Sequence, residues 1–179
     1  MPHPAIRTAT WADVPSLHDL IGASVMRLQA EDYNEAQRMG ALGSIFGVDP
    51  ALIEDGTYFV AEWEGRIVAC GGWSRRGTPF GSDRSPARDD RRLDPAQDAA
   101  RVRALFVHPD FARRGLGTAI LAACERGAAA AGFKWLELTA TLTGIRLFRV
   151  HGFIPAEEIT LRLDNGETLG VIRMTKTLS

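Results

Sequence analysis

The sequence predicts one mixed α/β domain over residues 1–179, and three observations predict it. β-rich runs alternate with stretches whose apolar residues recur every three or four positions, in the order βααββ–loop–βαβαββ. Two-residue turn signals, Glu64-Gly65 and Asn165-Gly166, each separate runs of strand-forming residues and mark hairpins. A chain of 179 residues, 45% apolar and 24% charged, is long enough for one well-packed core and short for two.

The elements follow in order. Residues 6–9 read as a short strand. Thr10 is then placed to cap a helix, with Asp13 at its positive end. Val14, Leu17, Leu20, Ile21, Val25 and Leu28 keep helical spacing and predict an amphipathic helix of about four turns. A more polar helix is expected over 31–42, with Tyr33 and Gln37 sharing one face. Asp49-Pro50 opens a short helix running to about residue 53. Residues 57–63 and 66–73 form the first hairpin, with Trp63 and Trp73 expected in the core or on the sheet surface. The 25 residues 74–98 hold six Arg, five Asp and three Pro against four apolar residues, which reads as a long charged surface loop. It is either a solvated connector or a lid over a ligand site. A strand at 101–107, a helix to about 131, a strand at 135–139 and a helix at 143–151 follow. Residues 159–163 and 168–175 close the chain as a second hairpin.

Composition excludes several classes. Lys plus Arg total 21 against 22 for Asp plus Glu, and a net charge of −1 argues against duplex nucleic acid as a partner. No apolar run approaches the ~18 residues that would span a membrane, and Met1-Pro2-His3-Pro4 does not open like a secretory leader, so a cytoplasmic location is expected. Cys70 and Cys124 lie in apolar surroundings without CxxC spacing, and the four histidines show no metal-ligand pattern. No metal is expected.

The informative segment is a strand, a turn, and Arg113-Arg114-Gly115-Leu116-Gly117-Thr118 at the mouth of a helix. Glycines there let backbone approach a phosphate. The first-turn N–H groups lack helical partners, and the helix dipole favours an anion. Two arginines add positive charge, so a diphosphate is the natural ligand. A dinucleotide fingerprint would need a third glycine where Ile120 stands. A P-loop fails too, because Gly127 to Gly132 ends a helix and is followed by Phe133-Lys134.

The segment resembles the signature of the GNAT superfamily of N-acetyltransferases, [QR]xxGx[GA] after a strand. The match runs from Ala104-Leu105-Phe106-Val107-His108-Pro109 to Gly115-Leu116-Gly117, with Ala112 where Gln or Arg is usual. Leu138-Thr139-Ala140-Thr141-Leu142 through Phe148-Arg149-Val150-His151-Gly152-Phe153 is similar to the family's second landmark, and Ile6-Arg7-Thr8-Ala9-Thr10 to its opening. The resemblance implies a mixed, largely antiparallel sheet splayed between the strands at 101–107 and 135–139, with helices on both faces. It implies acetyl-CoA as cofactor, its pyrophosphate on Arg113, Arg114, Gly115, Leu116, Gly117 and Thr118. Backbone N–H groups of a bulged Leu105, Phe106 and Val107 would hold the pantetheine, with Thr141 and Phe148 beside it. Leu105 would polarise the thioester carbonyl, an oxyanion-hole role. The implied reaction is direct transfer of an acetyl group to a primary amine of a small molecule or peptide, with a homodimer possible.

One family feature is missing. Phe148 stands where many members have a tyrosine that protonates the leaving thiolate. A thiol with a pKa of about 8.5 can leave with water as its proton source, so the alternatives are an active transferase and a weakly active acyl-CoA-binding domain. Glu137 alternates with Leu136 and Leu138 and is read either as the general base or as an ion-paired strand residue. His108 sits beside the loop and is read mainly as solvent-facing. Arg103 shares a strand face with Arg101; it either pairs with Glu62 or Glu137 or receives a carboxylate on the acceptor. Tyr33 is expected to line the acceptor site.

Overall fold

The computed structural model describes residues 3–179; Met1 and Pro2, read above as part of the chain's opening, lie outside the described residues. The chain runs β1 (Ala5–Thr8), α1 (Val14–Leu28), α2 (Glu35–Ala41), α3 (Pro50–Glu54), β2 (Tyr58–Trp63), β3 (Arg66–Ser74), β4 (Ala100–Val107), α4 (Leu116–Ala130), β5 (Trp135–Thr141), α5 (Ile145–Val150), β6 (Ile154–Arg162) and β7 (Thr168–Thr177). The strands form one sheet in the order β1-β2-β3-β4-β5-β7-β6. Every neighbouring pair is antiparallel except β4 and β5. This is the mixed, mostly antiparallel α/β fold that the sequence predicts.

Each face of the sheet carries its own core. Leu17, Leu20, Ile21 and Val25 of α1 pack on Tyr58, Val60, Cys70 and Phe106 on one side. Ile120, Leu121, Cys124 and Ala128 of α4 pack on Val68, Val102, Leu136 and Leu138 on the other. Burying these apolar stripes drives both helices onto the sheet. Both cysteines are free and buried, and burial pushes the Cys70 thiol up to about 12. Glu64 and Gly65 both take positive φ (48° and 75°), the primed turn that a tight hairpin needs. No described helix is long and apolar enough to cross a membrane.

Three stretches differ from expectation. The second helix starts at Glu35, because Asn34 caps it by accepting from Gln37 N, so Tyr33 lies before the helix. The last hairpin is longer than expected, with β6 starting at Ile154 and β7 ending at Thr177. β6 is an edge strand exposed on nearly every residue, so it carries no alternation to read. Residues 75–99 hold no strand or helix, but Phe80 packs on the α1-side core and Leu93 is buried on the α4 side. Their charges bind the segment to the body. Arg76 makes a fork to Asp55 at 2.6 and 2.8 Å, and Arg88 reaches Asp49 at 3.0 Å.

Candidate active site

β4 and β5 pair only at Ala100↔Leu136 and Arg101↔Glu137, and then separate. The distortion is built into β4. Between Arg103, opposite Gly72, and Phe106, opposite Cys70, β4 supplies Ala104 and Leu105 where β3 supplies Gly71 alone. Ala104 takes φ +52°, a conformation L residues avoid, so the bulge must be held. It is held by the fully buried Tyr58, whose hydroxyl donates to Ala104 O at 3.2 Å, with Cys70 Sγ at 3.5 Å. His108 N donates to Val68 O, so alternation turns the Val107 N–H to the opposite edge, where no strand receives it. Tyr58→Phe is expected to lower stability by about 1–2 kcal/mol and acetyl-CoA kcat/KM several-fold, since a donor to a buried carbonyl is lost. Thermal melts and steady-state kinetics check both.

The opening between the strands is a cavity of about 120 Å³ walled by Leu105, Phe106, Leu138, Thr139, Thr141 and Phe148. The Phe148 ring is buried and meets Phe153 edge-on at 5.7 Å. Leu147 walls this cavity and also a second space, a groove of about 720 Å³ over the mouth of α4. Arg113 (φ +61°) and Gly115 (φ +83°) turn the chain twice within three residues before α4 begins at Leu116. The unpaired first-turn amides therefore open onto this groove. Arg27, Arg113 and Arg146 line it, with Gly117, Thr118 and His151; Thr118 Oγ1 lies 3.0 Å from His151 Nε2.

The structure brings Leu105, Phe106, Thr141 and Phe148 to the cavity, and Val107, Arg113, Gly115, Leu116, Gly117 and Thr118 to the groove. Other expectations need correction. Arg114 turns away, its guanidinium 5.4 Å over the Phe111 ring, because that aromatic face lies next to it outside the groove. Glu137 does not wall the cavity; it pairs with Arg101 at 3.0 Å and Arg173 at 3.8 Å, at the base of the wedge where the strands still meet. Arg103 pairs neither with Glu62 nor with Glu137. It is 3% exposed, donates to Asp49 Oδ2 at 3.2 Å, and also donates to Thr78 O and Gly81 O. Burial lowers its pKa, and Asp49 opposes that. Tyr33 is buried too; it donates to Gly170 O at 2.6 Å and accepts from Leu142 N at 2.9 Å, fixing the segment before α2 to β7 and to the end of β5. His108 lies outside the cleft, 2.8 Å from Arg66, where burial and that charge lower its pKa.

Sequence reasoning missed Arg27, Arg146, His151, Gln29 and Tyr58. Arg146 and Val150, like Leu147 and His151, are four apart on α5 and its cap, so helical spacing alone would place them on one face. Nothing local announces Gln29, at the end of α1, or Tyr58, whose partner lies 46 residues away.

With this geometry in view, comparison with known proteins is direct. The GNAT acetyltransferase domain family matches residues 54–155, more than half of the chain, and the protein belongs to that family of acyl-CoA N-acyltransferases. It is 25% identical to a GCN5-related N-acetyltransferase from Rhodopseudomonas palustris, with a TM-score of 0.73 over 99% of this chain and 98% of that one. Two more distant structures share the fold. One is PaiA N-acetyltransferase from Thermoplasma acidophilum, solved with coenzyme A (12% identity, TM-score 0.65, covering 97% and 98%). The other is a phosphinothricin acetyltransferase from Sinorhizobium meliloti, solved with acetyl-CoA (18%, 0.65, 99% and 90%). Comparison with curated proteins finds no match.

Proposed function

We propose that the protein transfers the acetyl group of acetyl-CoA directly to a primary amine of a small molecule or peptide. The observation that carries this reading is the continuity of the anion groove with the cleft between β4 and β5, which meet at Leu147. A diphosphate with a narrow acyl-bearing arm needs that pair of spaces in that order. The fit extends to detail: a Cβ on Gly117 would come within 3.0 Å of Leu147 Cδ2, so the glycine keeps the passage clear. The amides from Gly115 to Thr118, with Arg113, would hold the diphosphate. The free edge of β4 at Leu105 and Val107 would hold the arm and its carbonyl.

When bound, acetyl-CoA supplies a thioester: the acceptor nitrogen forms the C–N bond, and the sulfur leaves with the C–S electron pair. The chain contributes positioning and fixed N–H dipoles aimed at the carbonyl oxygen, where charge develops. Glu137 is occupied by two arginines, so the ammonium proton goes to water, and the thiolate takes a proton from water past Phe148. Phe148→Tyr tests this geometry. It is expected to raise kcat by about tenfold, read as released thiol with acetyl-CoA and a panel of amines. Saturable coenzyme A binding without transfer to any amine, in both forms, would instead favour an acyl-CoA-binding domain.

A further inference from the structure

We infer that the acceptor is a primary amine on an uncharged, apolar body, and that the Gln29 carboxamide oxygen receives one of its N–H bonds. This rests on the acetyltransferase reading of the same cleft and narrows it to a substrate class.

Gln29 is the residue that ends α1, is 4% exposed, and forms part of the cavity wall. Its position is fixed by its own backbone, since its carbonyl accepts from Asp32 N at 3.2 Å and Tyr33 N at 3.0 Å. The side-chain oxygen, however, is buried without a hydrogen-bond partner among the described residues. A buried amide oxygen left unpaired is costly, and one on a cavity wall is a site waiting for a donor. An amine is a donor.

The surroundings define the rest of the acceptor. Ile45, Phe46, Pro79, Phe80, Leu161 and Val171 line the cavity with Gln29. Its volume of about 120 Å³ approaches the ~150 Å³ that holds a benzene ring, so a short chain or a small ring is the apolar portion that fits. Arg103 is the one ionised side chain in the lining, and its charge is already matched. Asp49 bridges Arg103 and Arg88, and Arg88 also meets Asp90 at 3.0 Å, giving two cations and two anions. The Arg103 Nε has no partner, but a carboxylate placed there would leave three anions around two guanidiniums in a buried network. A neutral acceptor avoids that penalty.

The chemistry is consistent. An apolar cleft strips water from the arriving ammonium and favours the neutral amine. One N–H donates to Gln29 Oε1, which orients the nitrogen lone pair away from that oxygen and towards the thioester carbon. The amine and the thioester become an amide and a thiol; the ammonium proton passes to water and the thiolate regains one. Since no carboxylate lines the cavity, the pH profile of kcat/KM is expected to follow the acceptor's own pKa, shifting when one amine is exchanged for another.

The test is a steady-state panel with acetyl-CoA. Butylamine and phenethylamine are compared with glycine, glutamate and a lysine-containing peptide, in the natural protein and in Gln29→Met. Apolar amines should exceed the amino acids and the peptide at least tenfold in kcat/KM. Gln29→Met should raise the amine KM about three- to tenfold, the range one hydrogen bond spans, with the acetyl-CoA KM unchanged and the melting temperature equal or higher. Preference for glycine or glutamate would seat the acceptor on Arg103 Nε and overturn the inference, as would preference for the peptide. A lower melting temperature with an unchanged amine KM would make Gln29 purely structural and also overturn it. Absence of turnover with every amine, together with no thermal stabilisation by coenzyme A, would overturn the acetyltransferase reading itself and is distinguishable from the other outcomes.

Discussion

Gly117→Asp is expected to remove acetyl-CoA binding while leaving the fold intact or slightly more stable. Gly117 is the second residue of α4, where a carboxylate complements the helix dipole and where glycine is a poor helix former. The nearest obstacle to a side chain is the far end of Leu147, 3.0 Å from an added Cβ, and such a methyl can shift. For the folded chain alone, the substitution is mildly favourable. For a diphosphate it is the reverse, because an anion then occupies the mouth of the groove. Calorimetric titration with coenzyme A should show affinity at least about 100-fold weaker, as like charges at close range cost several kcal/mol. A melting temperature within about 2 °C of the parent, or above it, would accompany that loss. Retained affinity would show that the diphosphate binds elsewhere.

Asp49→Asn is expected to be the most destabilising change outside the hydrophobic core. Asp49 is 1% exposed and accepts from Ala51 N at the start of α3, a bond that asparagine can keep. Its charge cannot be kept. Arg103 would then be a buried guanidinium with carbonyl partners but no anion, a situation that costs about 3–5 kcal/mol. In a chain of this length that corresponds to a fall of roughly 6–20 °C in melting temperature. The double variant Asp49→Asn, Arg103→Met should recover at least half of the fall, because no unpaired charge remains. If the single substitution melts like the parent, the pair is not the clasp that fixes residues 78–81 beside the cavity.

What was legible in the sequence was local or periodic. The stripe from Leu17 to Val25 reports α1, the Glu64-Gly65 turn reports the first hairpin, and the spacing of Gly115 and Gly117 reports the groove. Each of these signals lies within one element or one turn. The misplaced residues depend on partners far along the chain. Arg103 is matched by Asp49, 54 residues earlier, and Tyr33 is buried by contacts with Leu142 and Gly170. Nothing near either residue announces those partners. Arg113 and Arg114 are adjacent and chemically alike, and only the left-handed turn at Arg113 decides which faces the groove and which covers Phe111. Gln29 was overlooked because an uncharged polar residue at the end of a helix is ordinary until its oxygen proves to be unpaired.

The two-pair contact between β4 and β5 has a mechanical consequence. It makes the sheet two slabs joined along a weak seam, stitched at one end by Arg101 and Glu137. Any molecule filling the seam bonds to the first slab through β4 and to the second through β5 and α5, and so acts as mortar between them. Occupancy and rigidity are therefore coupled: the same gap that admits the acyl donor lets the two halves breathe until it arrives.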